Sequence, residues 1–156
     1  MAIRKIILEG DPILRVKCRP VTQFDDKLGQ LLDDMHETLD HADGVGLAGP
    51  QVGYCRRLFI MHLGELRLEV VNPEILKTSG KQRVLEGCLS VPDRYGYVVR
   101  PKKCKFRAQN RDGEWYEMTL QDLGAQCTCH EYAHLEGQLF TDIAEEFVYT
   151  KDMEQK

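Results

Sequence analysis

Hydrophobic side chains recur at helical spacing in residues 25–42. They fall on one stripe, which consists of Leu28, Leu31, Leu32, Met35 and Leu39. This spacing predicts an amphipathic helix whose apolar face packs against the rest of the protein. Asp25 and Asp26 lie at its expected start, where the helix dipole favours negative charge. Gly44 and Gly46 follow and are expected to end the helix.

Short apolar runs after this helix predict two strands. Residues 58–61 and 66–71 are rich in leucine, valine and other large apolar side chains, which favour the pleated and half-buried surface of a sheet. Asn72-Pro73 follows the second run. Because proline lacks a backbone N–H, we expect the second strand to end there.

A hairpin and a second helix are predicted in the last third of the chain. Residues 103–108 and 115–119 alternate between polar and apolar side chains on either side of an Asn-Arg-Asp-Gly turn at residues 110–113. The second helix is expected over residues 120–137. Two helices in a strand-rich chain predict an α+β fold.

The composition is that of an ordinary globular protein. With 156 residues, 42% of them hydrophobic and 29% charged, the chain suits one domain over residues 1–156. The net charge of −4 and the lack of a lysine- or arginine-rich block argue against nucleic-acid binding. No apolar run reaches the roughly 20 residues that span a bilayer. Six cysteines without a secretion signal indicate a reducing compartment, so we expect a cytoplasmic protein.

The segment His-Glu-Tyr-Ala-His at residues 130–134 carries the strongest chemical signal. On a helix, His130 and His134 lie on one face and can bind a single metal ion. Glu131 is then placed to reach a water bound to that ion. Because a catalytic metal site usually has three protein ligands and one open position, a third ligand is required.

Two sources of the third ligand can be compared. One class of zinc proteases continues the motif to a third histidine; Gly137 matches the glycine of that pattern, but Phe140 stands in place of the histidine and cannot bind a metal. Cys88, in the segment Glu-Gly-Cys-Leu-Ser at residues 86–90, would bind as a thiolate. An isolated cysteine is more often a small buried hydrophobic residue, so the surrounding motif decides its role.

Three segments in the same order resemble the peptide deformylases. That family carries G-x-G-x-A-A-x-Q, E-G-C-L-S and Q-H-E-x-D-H. This chain has Gly-Val-Gly-Leu-Ala-Gly-Pro-Gln at residues 44–51, Glu-Gly-Cys-Leu-Ser at 86–90 and Cys-His-Glu-Tyr-Ala-His at 129–134. The resemblance implies antiparallel or mixed sheets around a central helix that carries the H-E-x-x-H motif. It also implies a metal-dependent hydrolase that removes the N-formyl group from the N-terminal formylmethionine of nascent polypeptides and releases formate.

The resemblance assigns roles to the residues of these motifs. It implies three metal ligands, which are Cys88, His130 and His134. The ion implied in the cell is Fe²⁺, and zinc, nickel or cobalt can occupy the same site. Glu131 would transfer a proton from the attacking water to the departing amine. The Gln51 side-chain amide and the Leu89 backbone N–H would stabilise the negative oxygen of the tetrahedral intermediate together with the metal.

The substrate side of the site follows from the same resemblance. Val45, Leu89 and Cys127 lie where the family lines its methionine pocket, and the Gly46 N–H is a backbone contact to the peptide. Tyr95 occupies the position where the family often has an arginine that meets the carboxylate end of the substrate, and Arg94 precedes it by one residue. The implied partner is an N-formylmethionyl peptide, presented at the ribosome, and the expected state is a monomer.

Four positions depart from the family pattern, and we expect them to alter substrate preference more than catalysis. Gly49 replaces an alanine and is expected to loosen the loop or enlarge the space beside Gln51. Cys129 replaces the usual glutamine. Ala133 replaces an aspartate, which is expected to leave Arg100 without its family-typical partner and to weaken the support of the metal ligands. The fourth departure is Tyr95.

Other readings of the chain stay open at this point. One is a divergent paralogue that deformylates a different N-formyl compound. Another is a non-catalytic metal-binding module in which Glu131 makes only a supporting contact. The remaining histidines, which are His36, His41 and His62, have no constellation of carboxylates or cysteines near them in sequence and are expected to be solvated or to cap helices. Packing in the interior is expected for Cys18, Cys55 and Cys104.

Overall fold

The first helix forms where the apolar stripe predicts it. The structure, a computed structural model, describes residues 2–151. Helix α1 spans Asp26–Ala42, and the carboxylate of Asp25 caps it by accepting a hydrogen bond from the Leu28 N–H at 3.0 Å. All five leucine and methionine side chains of the stripe are buried. The helix ends at Asp43, which adopts the left-handed conformation directly before Gly44.

The described residues contain eight strands and a second helix. In chain order, strands β1 to β8 span Gly46–Ala48, Leu58–Leu63, Leu66–Ser79, Gln82–Cys88, Val91–Arg100, Lys103–Gln109, Trp115–Gln121 and Glu146–Tyr149. Helix α2 spans Leu123–Leu135. One sheet has the strand order β1-β2-β3-β6-β7 and the other has the order β4-β5-β8, and neighbouring strands are antiparallel throughout. The predicted hairpin is confirmed as β6 and β7.

Strand β3 is longer than predicted, because the Asn-Pro pair does not end it. The register with β6 shifts between Val71 and Glu74, so Asn72 and Pro73 lie in a bulge where no ladder hydrogen bond from the proline is needed. Asn72 adopts a φ of 51°, and its side chain hydrogen-bonds both the N–H and the C=O of Val21 at 2.8 and 2.9 Å. These contacts stabilise the bulge and let the strand continue.

Helix α2 is shorter than predicted at both ends. Its expected first residue, Leu120, belongs to β7 and pairs with Cys104. The chain turns at Asp122, which has a φ of 56°, and the helix starts one residue later. At the other end Gly137 has a φ of 75°, and a Cβ there would lie 2.5 Å from the carbonyl oxygen of Arg15. This close approach requires glycine and ends the helix before residue 137.

Helix α2 lies between the two sheets. It contacts β1, β2, β6 and β7 of the first sheet and β5 of the second. One core cluster beneath it contains Phe59, Met61, Phe106 and Leu135. A second cluster joins the apolar face of α1 to the other side of the first sheet. The H-E-x-x-H motif is therefore held on a buried helix between two rigid sheets. None of the helices in residues 2–151 has the length and apolar character needed to cross a bilayer.

Candidate metal centre

Three side chains that are far apart in sequence converge beside helix α2. Cys88 lies at the end of β4, and His130 and His134 lie one turn apart on α2, with potential ligand atoms that are all within 4.8 Å of one another. The Cys88 Sγ is 3.4 Å from the His134 Nε2. The two imidazole rings meet edge to face, with centroids 5.0 Å apart. The structure therefore brings together the three ligands inferred from the sequence.

The donor set fits a divalent metal ion. A tetrahedral ion with metal–sulfur bonds of about 2.3 Å and metal–nitrogen bonds of about 2.0–2.1 Å needs ligand atoms roughly 3.3–3.6 Å apart, and the Cys88–His134 separation of 3.4 Å agrees with this. One thiolate and two imidazoles suit zinc, ferrous iron, nickel and cobalt alike. Burial lowers the pKa of His134 well below its usual value, which keeps its imidazole neutral and able to donate a lone pair.

A buried ion-pair network orients His130. Its Nδ1 contacts the carboxylate of Glu86, and because an ionised carboxylate only accepts, the imidazole donates from Nδ1. Arg100 donates to the same carboxylate at 2.6 and 3.2 Å, and Gln126 donates at 3.3 Å. Burial would raise the pKa of Glu86, but hydrogen bonds from His130 and Arg100 outweigh it and lower the pKa to about 2. With Nδ1 occupied, only Nε2 of His130 is free to bind a metal.

Arg100 has a partner in this structure although Ala133 stands where the family pattern has an aspartate. Arg100 lies at the end of β5, is buried, and forms a two-point ion pair with Glu86. Glu86 and Arg100 lie on the neighbouring strands β4 and β5 but not opposite each other, since Arg100 is opposite Gln82 and Glu86 is opposite Gly96. The long arginine side chain spans this offset. The sequence pointed to Arg100 as a supporting residue and to Gln126 as a polar group one helical turn before His130, but it missed the supporting role of Glu86. The available signal for Glu86 was its place inside the Glu-Gly-Cys-Leu-Ser motif.

Glu131 is buried next to the converging ligands. Its Oε2 lies 3.9 Å from the His130 Nε2, and its Oε1 has no hydrogen-bond partner within the described residues. Burial raises the pKa of Glu131 to about 7, although the nearby His130 opposes this shift. A carboxyl group that titrates near neutral pH can both accept a proton and return it.

Gln51 lies beside Cys88, and its amide is held in one orientation. Its Oε1 accepts a hydrogen bond from the Ala48 N–H at 2.9 Å, and its Nε2 donates to the Ser90 Oγ at 3.0 Å. The same Nε2 is 3.5 Å from the Cys88 Sγ. The donor face of the amide is thereby directed toward the ligand cluster.

The effect expected of Gly49 is also wrong. A Cβ at this position would lie 2.6 Å from the Tyr54 carbonyl oxygen and 3.1 Å from that of Arg56. The backbone of residues 54–56 therefore fills the space that an alanine would occupy. Gly49 does not enlarge the space beside Gln51; it lets two backbone segments pack closely.

A cavity of about 530 Å³ opens onto these groups. Among the residues that line it are Val45, Gly46, Gln51, Cys88, Leu89, Tyr95, Cys127, His130 and Glu131. A Cβ at Gly46 would lie 2.5 Å from the Glu131 Oε2 and 2.8 Å from the Cys127 Sγ. Strand β1 therefore packs directly against the carboxyl group of Glu131. Burial raises the pKa of Cys127 well above its usual value, which keeps its thiol neutral in the cavity wall.

Arg94 is separated from the other residues inferred for substrate binding. It does not line the cavity. Its Nη2 donates to both carboxylate oxygens of Glu9, at 2.7 and 2.9 Å, and its guanidinium packs over the Phe147 ring. Tyr95, by contrast, lines the cavity, and its ring lies so close to Gly87 that a Cβ there would be 2.4 Å away.

His36 and His62 are neither solvated nor helix caps, so that prediction is wrong. Their rings stack, and the His36 Nδ1 lies 2.8 Å from the His62 Nε2. The His36 Nε2 contacts Glu69 at 2.9 Å, and Glu69 also accepts hydrogen bonds from Arg111. These residues come from α1, β2, β3 and the β6–β7 turn, so no local sequence signal could have joined them. His41 is exposed in the last turn of α1.

Sequence comparisons match this chain to a family model and to relatives with the same name. The sequence model of the polypeptide deformylase family matches residues 3–148. Peptide deformylase 2 of Clostridium acetobutylicum is 47% identical over 149 residues, which cover 95% of this chain and 99% of that protein. The peptide deformylase of Caldicellulosiruptor bescii is 46% identical over 156 residues, covering 100% of this chain and 94% of that protein.

Two solved structures of peptide deformylases also resemble this chain. The crystal structure of the peptide deformylase from Thermotoga maritima superposes with a TM-score of 0.90 at 41% identity, covering 92% of this chain and 98% of that chain. A class I type b peptide deformylase from Acinetobacter baumannii, with Met-Ala-Ser bound, superposes with a TM-score of 0.87 at 34% identity, covering 90% and 98%. These neighbours confirm the α+β fold around a central helix.

Proposed function

The chain belongs to the polypeptide deformylase family, and from that membership we propose how its residues carry out the reaction. It is an enzyme that removes the N-formyl group from the N-terminal formylmethionine of nascent polypeptides and releases formate. The observation that carries the assignment of roles is the convergence of Cys88, His130 and His134 beside Glu131. The relatives give no support to a different N-formyl substrate or to a non-catalytic module.

We propose that Cys88, His130 and His134 hold the metal ion. The family is one of metalloenzymes, and the S/N/N donor set fits its chemistry. Fe²⁺ is the proposed ion in the cell, and zinc, nickel or cobalt can replace it. An ion held by these three residues would supply Lewis acidity toward the formyl oxygen and would lower the pKa of a nearby water.

Glu131 is the proposed general base and acid. It takes a proton from the water as the water oxygen attacks the formyl carbon, and it gives that proton to the amine nitrogen as the C–N bond breaks. The products are formate and a peptide with a free amino terminus. The buried position of Glu131 and its pKa of about 7 suit both transfers.

Gln51 and Leu89 are the proposed donors to the formyl oxygen, which gains negative charge when the carbon becomes tetrahedral. The Ala48 N–H holds the carbonyl end of the Gln51 amide, and its Nε2 would exchange a contact with Cys88 or Ser90 for the formyl oxygen. Loss of one such donor typically reduces transition-state stabilisation by about 2.7–4 kcal/mol.

The cavity is the proposed site for the formylmethionine. Val45 and Cys127 form part of an apolar wall for the methionine side chain, and Tyr95 lies beside them. Within residues 2–151, strand β1 pairs with a neighbouring strand on one side only, so the backbone of Gly46 can pair with the substrate as an added strand. Arg94 takes part only if its contact with Glu9 opens.

The setting of the reaction is also a proposal. We propose that residues 1–156 form one domain that acts as a monomer in the cytoplasm. Nascent chains emerging from the ribosome would be its substrates, because formylmethionine occupies their first position. Helix α2 packs against both sheets, which supports the single domain.

Formate release from a formyl-Met-Ala peptide tests these roles. After loading with Fe²⁺ or Ni²⁺, we expect Glu131→Gln to lower kcat by about 10²–10⁴-fold, the usual contribution of a general acid–base. Glu117→Gln, on the exposed face of β7, is the matched control and should retain full activity. Activity of Glu131→Gln within threefold of the parent would remove Glu131 from the mechanism.

A further inference from the structure

Two stacked histidines join helix α1 to strand β2 outside the cavity. The His36 Nδ1 lies 2.8 Å from the His62 Nε2, and the two rings are nearly parallel, with an interplanar angle of 3°. The two side chains are only 14% and 10% exposed. Because water has little access to these nitrogens, the rings must satisfy each other. We call His36 and His62 the histidine pair.

Charged and titratable groups from several elements face the histidine pair. They are Asp33 and Asp40 of α1, Arg67 and Glu69 of β3, Arg111 of the β6–β7 turn and, through its contact with the Glu69 carbonyl oxygen, Tyr116 of β7. At one end of the pair, Glu69 contacts the His36 Nε2 at 2.9 Å. At the other end, the Asp40 Oδ1 lies 3.4 Å from the His62 Nδ1. Each ring therefore has one nitrogen facing its neighbour and one facing a carboxylate.

These contacts assign the protons of the neutral pair. Glu69 is ionised and only accepts, so the His36 Nε2 donates to it. A neutral imidazole carries one N–H, so the His36 Nδ1 is an acceptor and the His62 Nε2 donates to it. The His62 Nδ1, which faces Asp40, is left free to take up one further proton. A second proton has no place, because it would set two N–H groups against each other at 2.8 Å.

We propose that the histidine pair is an acid-sensitive contact, which accepts one proton while the rings stay together and separates when it takes up a second. In the unfolded chain both histidines have an ordinary pKa of about 6.5, so they bind two protons in mild acid. Burial lowers the pKa of His62 in the folded protein, and Arg67 and His36 act in the same direction against Asp40. The contribution of the pair to the free energy of unfolding is therefore present above about pH 6.5 and is lost as the pH falls below it.

Separation of the rings would act on the strand that borders the cavity. The His62 N–H donates to the Val45 carbonyl oxygen at 2.7 Å, and Gly46 pairs with Met61. Helix α1 packs against both β1 and β2 and leads into β1 through residues 43–45. A shift of α1 against β2 would thus reach the backbone that is proposed to bind the peptide. This consequence for β1 rests on the proposed function.

Urea unfolding of the nickel-loaded protein at several pH values tests the count of protons. A difference of one bound proton changes the unfolding equilibrium constant about tenfold per pH unit. Between about pH 6 and pH 5, the constant should therefore rise about tenfold more for the parent than for His62→Gln. The glutamine amide can donate to His36 and, after it rotates, accept from it. The metal ligands are the same in both proteins, so their own pH dependence cancels in the comparison. His36→Gln is a second variant with the same expected result, in case the first does not fold.

His41→Gln is the matched control, because His41 is an exposed histidine on the same helix. Its pH dependence should equal that of the parent. An equal pH dependence in the parent, His62→Gln and His36→Gln would overturn the proposal. ¹⁵N NMR of the rings should show the proton of neutral His36 on Nε2, and a proton on its Nδ1 would overturn the proposal as well.

Formate release from a formyl-Met-Ala peptide tests the consequence for β1. When half of the molecules have separated rings, the apparent KM should be about twofold higher. On acidification to about pH 5.5, KM should therefore rise at least about twofold more for the parent than for His62→Gln. An equal rise in both would overturn the effect on β1. No formate from any of these proteins at neutral pH would instead contradict the proposed function and leave the proton count standing.

Discussion

The buried carboxylate of Glu86 offers the sharpest test of how the site is supported. We consider Glu86→Gln, which keeps the size of the side chain and removes its charge. Glu86 accepts from both guanidinium nitrogens of Arg100 and orients His130 through its Nδ1. Glu86 and Arg100 are only 4% and 7% exposed, so water does not replace the lost charge.

Two magnitudes follow from this geometry. Removal of one partner from a buried ion pair leaves the other charge uncompensated and typically lowers the free energy of unfolding by about 3–5 kcal/mol. Glutamine can still accept one hydrogen bond, so we expect about 3 kcal/mol. Loss of the group that orients a metal-binding histidine usually weakens metal affinity by about 10–100-fold.

Urea unfolding of the metal-free protein measures the first quantity, and competition with a chelator of known affinity measures the second. Glu117→Gln is the control, because Glu117 is exposed and its nearest cation, Lys105, is 3.8 Å away. This variant should change the unfolding free energy by less than about 1 kcal/mol. A loss below about 1 kcal/mol in Glu86→Gln, with unchanged metal affinity, would refute the account of this network.

Two further predictions concern other parts of the fold. Burial would raise the pKa of Glu69, but hydrogen bonds from Arg111 and His36 lower it to about 2. Because the pKa of Glu69 is lower in the folded protein than in the unfolded chain, the ionised carboxylate stabilises the fold. This contribution to the free energy of unfolding is present above about pH 5 and is lost as the pH falls toward 2. Between about pH 5 and pH 2, the free energy of unfolding should fall less steeply with pH for Glu69→Gln than for the parent. The same slope in both proteins would contradict the lowered pKa of Glu69. Gly46→Ala places a Cβ 2.5 Å from the Glu131 Oε2 and should lower kcat/KM at least about tenfold; parent-like turnover would show that the strand moves aside freely.

Several elements could be predicted from the sequence because their causes are local. The stripe on α1 depends only on which side chains recur every three or four residues. The β6–β7 hairpin depends on a turn in which the Asn110 side chain accepts hydrogen bonds from the backbone N–H groups of Asp112 and Glu114. His130 and His134 lie on one face because they are four residues apart on a helix.

Other features required the tertiary structure because they join residues that are distant in the chain. Asn72 keeps β3 intact through its contacts with Val21, 51 residues earlier. Arg100 has a partner because Glu86, 14 residues earlier, lies on the neighbouring strand within reach of the arginine side chain. Local pattern cannot specify how strands pair, since pairing is set by which surfaces pack together.

The same distinction between local and tertiary causes applies to the candidate metal centre. The residue types needed for hydrolysis, a sulfur, two imidazoles and a carboxyl group, are written in short motifs and could be recognised there. The environment of these groups could not be predicted from the motifs. The burial of Glu131 and the orientation of His130 depend on the side chains that neighbouring elements contribute. Sequence therefore determined which chemical groups are present, and folding decided their protonation and direction, because those properties arise from burial and non-local hydrogen bonds.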